Sequence, residues 1–202
     1  MALTGSRAAP RPATPETPHR SAVEALRRLD APAIVMPRVA RTRPWERIRA
    51  LQATLETALS RIAEGGDDAR DALTAVRDTG AELQRLCALD PDALLALPLL
   101  LDGGRYAVRH AMAAAVVLEC MLARRGAPAA ERRTAVLAAL TMNIGMHGLQ
   151  ELLWSHSGPL TPSQRAGVLG HPRLGVALLR SAGVEDPLWL GIVAQQIGRA
   201  HV

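Results

Sequence analysis

An apolar stripe of helical period starts at Trp45 and constrains this chain more than any other feature, because no strand pattern ever replaces it. Ile48, Leu51, Leu55, Leu59 and Ile62 step by three or four residues, which places them on one face of an α-helix. Gly65 and Gly66 interrupt the stripe, and Asp67 or Asp68 is suited to cap the next helix. Leu73, Val76, Leu83 and Leu86 then repeat the spacing. No alternating apolar and polar run of strand type occurs after residue 45, so the expected class is all-α.

Residues 45–89 have two readings. One is a coiled-coil signalling helix that forms a homodimer, and the other is a helical hairpin packed on its own domain. Only about two to three heptads precede the glycine pair, fewer than the three to four a coiled coil needs, which favours the hairpin. Further on, Asp90-Pro91 and Thr161-Pro162 each pair a capping side chain with a proline at the first helical position. The intervening pattern predicts helices from Tyr106 to about Arg125, from Ala129 to Met142 and around Leu149–Trp154, with others from about Pro172 and Pro187. The two long ones should be neighbouring core helices with Val116, Val117, Leu118, Leu137 and Leu140 buried, since they are apolar over more than one face. Residues 1–44 read as a leader. Pro10, Pro12, Pro15 and Pro18 suggest disorder, and residues 31–44 suggest a short extended stretch.

Composition narrows the function. A chain of 202 residues with 49% hydrophobic content suits one domain plus an extension. Aromatics are only 2%, with no Phe, so the core must come from Leu, Ala, Val and Met. All 24 basic residues are Arg, which reads as codon usage in a GC-rich genome. The net charge of +5 is diffuse and lacks interleaved aromatics, so nucleic acid is not an expected partner. Cys87 and Cys120 lack CxxC spacing and read as buried, reduced thiols. The first twenty residues have no signal-peptide pattern, and the apolar runs 93–101 and 111–117 fall short of a membrane span. The expectation is a cytoplasmic protein.

Four segments carry the chemistry. They are Tyr106-Ala-Val-Arg-His110, Ala138-Ala-Leu-Thr-Met-Asn-Ile-Gly145, Leu160-Thr161 leading to His171-Pro172, and Ile192-Val-Ala-Gln-Gln196. In order and spacing, over residues 90–196, they resemble the HD-GYP family of bacterial phosphodiesterases, part of the HD superfamily of metal-dependent phosphohydrolases. The resemblance implies an HD-domain-like helical bundle and a cyclic di-GMP substrate. It further implies a di- or tri-nuclear Fe/Mn centre, with His110 and His171 at two of the ligand positions. The family's His-Asp pair falls on Met142 and Asn143, the following Lys on Met146, and a later His on Gln196.

Those replacements remove what the chemistry needs. A bridging carboxylate offsets repulsion between two dications, and a neutral Asn amide does not. A Met thioether is a soft donor, suited to Cu(I) rather than to hard divalent ions. The expectation is therefore a degenerate domain with no catalytic residue and no cofactor. It would act as a sensor or protein-interaction module whose partner is cyclic di-GMP or a signalling protein. The alternative is a fragment of an active phosphodiesterase with an unusual metal shell. His147, His156 and His19 have no place in the register and read as surface residues, and Arg109 as a solvated cation.

The final residues, Gln196-Ile-Gly-Arg-Ala-His-Val202, read as a translated sequencing adapter rather than as protein. On that reading the natural chain continues past 196, and position 196 itself is a candidate His.

Overall fold

The computed structural model describes residues 44–97 and 101–196, and every regular element among them is a helix. The expected leader, up to residue 43, and the tail 197–202 lie outside the described residues. Helix α1 (Pro44–Glu64) and helix α2 (Ala69–Leu89) form a hairpin. Gly65 and Gly66 make the turn with φ of 73° and 104°, values that a residue with a Cβ adopts only under strain. Ile48, Leu55, Leu59 and Ile62 are buried in the domain core with Leu73, Val76 and Leu83. The stripe that would have served a coiled coil is thus covered within the chain.

Helix α3 (Pro91–Leu95) is one short turn, capped as expected by the Asp90 carboxylate, which accepts from the amide of Ala93. Helices α4 (Tyr106–Arg124) and α5 (Ala129–Thr141) pack side by side as the centre of the core. Met112, Val116, Ala138 and Leu140 are at most 1% exposed. Two expectations fail here: Val117 is 39% exposed and Leu118 only half-buried. Leu118 still packs against the core, whereas Val117 leaves apolar surface of α4 uncovered.

By length and composition α4 could cross a membrane, although each apolar run counted alone is too short. Nearly half of it is nevertheless buried inside the domain, including Glu119, which is 4% exposed. That carboxylate accepts from Gln84 Nε2 at 2.8 Å and pairs with Arg132 at 3.2 Å, tying α2, α4 and α5 together.

A 3₁₀ turn (Ile144–Met146) leads from α5 into helix α6 (His147–Trp154). Helix α7 (Pro162–Ser181) opens on a full capping box, with Thr161 and Gln164 each bonding the other's backbone. Pro172 was expected to begin a helix but lies inside α7. Helix α8 (Pro187–Ala194) is capped by Asp186, which also accepts from Thr134 on α5. Trp189 anchors α8 with its ring buried and its Nε1 donating to Thr141 Oγ1 at 2.8 Å.

Candidate functional site

A proline within a helix removes one amide donor and leaves the carbonyl four residues back without its helical partner. For Pro172 that carbonyl belongs to Val168. Nδ1 of His171 meets it at 2.6 Å, so the neighbouring side chain replaces the missing amide. A carbonyl only accepts, so Nδ1 carries the proton, and in the neutral ring Nε2 is left with a bare lone pair. His171 is 4% exposed, and Nε2 has no hydrogen-bond partner among the described residues. The helix continues through the proline, and a buried acceptor is held in one orientation.

The turn after α5 lies against the same stretch of α7. A methyl group on Gly145 would collide with the carbonyl oxygen of His171 and stand 2.6 Å from the amide nitrogen of Gly175. A methyl on Gly175 would press on Ile144 and on Val193 of α8, each 3.3 Å away. Two glycines therefore let the turn and α7 meet at backbone distance, with the Val193 side chain of α8 against Gly175. Met142, at the end of α5, is buried, and Asn143 is half-buried with its carbonyl accepting from the amide of Met146.

The structure thus brings Gly145, in the turn after Met142 and Asn143, onto the backbone of His171. The other two sequence candidates are exposed: His110 lies on the outer side of α4 with its ring stacked on Tyr106 at 5.7 Å, and Gln196 follows the end of α8. Arg109 is committed to the chain itself rather than solvated, donating to the carbonyls of Gly103 and Gly104.

His147 corrects the sequence reading, because it is buried rather than on the surface. It opens α6 directly beneath α1, and its Nε2 lies 3.3 Å from Ser60 Oγ and 3.4 Å from an Arg105 nitrogen. Burial, with the Arg105 charge beside it, pushes its pKa below the ordinary histidine value, while Glu151 and Glu56 oppose the shift. Arg105 also reaches Glu56, and Glu151 caps the amide of Ala107. No spacing rule joins Ser60 to His147 across 87 residues, so only Ser60's position near the buried stripe of α1 could have hinted at the contact. His156 is exposed, as expected.

The donor set at the junction does not fit a two-metal centre. His171 offers one bare nitrogen, but Met142 and Asn143 supply a thioether and an amide where a carboxylate is needed. Among the described residues no group of three or more His, Cys, Asp or Glu side chains is disposed to hold a metal ion.

No protein-family model matches the chain, and neither a search of curated proteins nor one of solved structures finds a match.

Proposed function

We propose that residues 90–196 form a degenerate HD-GYP-type domain that acts in bacterial cyclic di-GMP signalling as a cytoplasmic sensor or protein-interaction module, with little or no hydrolase activity. The observation that carries this reading is His171. Its ring is buried, its Nδ1 is held by a backbone carbonyl, and its Nε2 has no partner among the described residues. A histidine that binds a metal donates its other ring nitrogen to a carbonyl or carboxylate in this same way. The group stands ready, beside a turn whose own side chains no longer supply charged ligands. Such an arrangement suits a lapsed phosphohydrolase better than a histidine recruited only for packing, since burying an unmet acceptor costs roughly 1–3 kcal/mol.

The test is calorimetric titration of the full chain with cyclic di-GMP, together with product analysis after incubation with Mn(II) or Fe(II). Saturable binding without turnover is the expected sensor behaviour. Neither binding nor turnover leaves the interaction-module form of the reading. Conversion of cyclic di-GMP by the unmodified chain would overturn the degenerate assignment and favour an active phosphodiesterase with an unusual metal shell.

A further inference from the structure

The outward face of α4 carries no charged side chain from His110 through Met121. At 3.6 residues per turn, Tyr106, His110, Ala113, Ala114, Val117, Met121 and Arg124 fall within about 100° of arc, opposite the buried side. Val117 and Met121 are 39% and 55% exposed, and Ala113 and Ala114 are half-buried along the same line. A helix that is apolar on all sides is ordinarily covered on all sides, and this one is covered on one.

The two ends of the stripe differ. At the N-terminal end Tyr106 stacks on Trp154 at 4.0 Å, and Trp154 is 61% exposed, so an aromatic surface faces outward. At the C-terminal end Arg124 and Arg125 are exposed, with no ion pair or hydrogen bond for either side chain among the described residues. Cations are attracted to aromatic faces. An antiparallel pair of identical helices would bring each end onto its complement twice, whereas a parallel pair would set arginine against arginine.

Side-chain size fits the same arrangement. The register that places Ala114 opposite Val117 also places His110 opposite Met121 and the Tyr106–Trp154 stack opposite Arg124 and Arg125. Small then faces large at the centre, and a thioether faces a ring toward each end.

We infer that the outer face of α4 is a self-association surface, occupied by α4 of a second copy of this chain running antiparallel about a two-fold axis. The seam from Tyr106 to Met121 is about 22 Å long at 1.5 Å per residue. One helix pair of that length buries less than the roughly 800 Å² per partner of a standard interface, so the dimer is reversible and depends on concentration. This inference does not rest on the phosphohydrolase reading.

Sedimentation velocity on the full chain across a roughly hundredfold dilution should follow a monomer–dimer equilibrium. Val117→Arg should raise the dimer Kd at least about tenfold. Leu174→Arg, at an exposed leucine on α7, should leave the Kd unchanged. Matching circular dichroism and thermal melting would show that both variants fold. With oxidised glutathione, Ala114→Cys/Val117→Cys should cross-link between chains, and Ala114→Cys alone should not. The inference fails if the chain is monomeric at every concentration or if Val117→Arg leaves the dimer intact. Cross-linking by the single Ala114→Cys variant would overturn the antiparallel register. A monomer that binds anionic phospholipid vesicles through Val117 would assign the face to a membrane surface instead.

Discussion

Of the places where the domain buries polar side chains, two treat them differently. Between α2, α4 and α5, the Glu119 carboxylate is met on one oxygen by Gln84 and on the other by Arg132. Among the described residues the Arg132 Nε goes without a partner there, on a guanidinium whose Nη1 pairs with Glu119. At the turn–α7 junction His171 has one nitrogen bound and the other bare. Buried polar groups in folded proteins are overwhelmingly paired, so a paired carboxylate is explained by the fold and a bare ring nitrogen is not. The first region is an internal tie. The second leaves a buried ring nitrogen without a partner among the described residues.

The sharpest way to break this contrast is to close the junction. Gly145→Ala puts a methyl against the carbonyl of His171 and the amide of Gly175, neither of which can yield without moving α7. The expected cost is about 3 kcal/mol or more in chemical denaturation, at the upper end for overpacking. A variant as stable as the parent would mean that the backbones are not in contact there.

Breaking the tie should cost somewhat less. Arg132→Met leaves Glu119 buried with Gln84 alone, and a stranded buried charge costs a few kcal/mol. Because Arg132 is a quarter exposed, about 2 kcal/mol is expected by the same denaturation measurement. No change in the denaturation midpoint would mean that Glu119 has no need of the pair.

The same region should respond to alkali. Cys87 lines a cleft of 380 Å³ with Cys120, Glu119 and Arg132. Burial, and then the adjacent Cys120 and Glu119, push its thiol up to about 12, against an ordinary value of 9.0. A pKa raised by folding means that the unfolded chain releases the proton first. Stability is therefore intact below pH 9 and is lost as pH rises from 9 toward 12. Thermal melts should fall across that window and fall less in Cys87→Ala after its own cavity cost is subtracted. An equal fall in both would exclude the thiol as the cause.

The smallest effect is expected at His171. His171→Leu loses the bond to Val168 but also removes the unmet nitrogen, so the two terms nearly cancel, within about 1 kcal/mol. A loss of several kcal/mol would make His171 a structural residue and weaken the functional reading.

Much of this was legible in sequence because it is local. The stripe of α1, the Asp90 and Thr161 caps and the glycine turn each depend on a few adjacent residues, and all appear in the fold. What escaped depends on distant parts of the chain. The burial of His147 is set by Ser60 and Arg105, 87 and 42 residues away. The exposure of Val117 depends on which face of α4 is covered, and a helix apolar all round does not disclose that. Pro172 was misread because a helix can continue through a proline when a side chain replaces the lost donor, as His171 does. At the candidate site the backbone approach of Gly145 to His171 joins residues distant in sequence, whereas His110, expected as a ligand position, faces outward.

The proposed reading, a phosphohydrolase-like scaffold with altered ligand positions, is tested most directly by metal content. The unmodified chain and the Met142→His/Asn143→Asp double variant would be loaded with Mn(II) or Fe(II), desalted and analysed by plasma mass spectrometry. Little retained metal is expected in the unmodified chain, and a clear gain toward stoichiometry in the double variant, because on the proposed reading it supplies the carboxylate and nitrogen donor that the Met142 and Asn143 positions lack. Stoichiometric metal in the unmodified chain, or no gain in a folded double variant, would contradict the account.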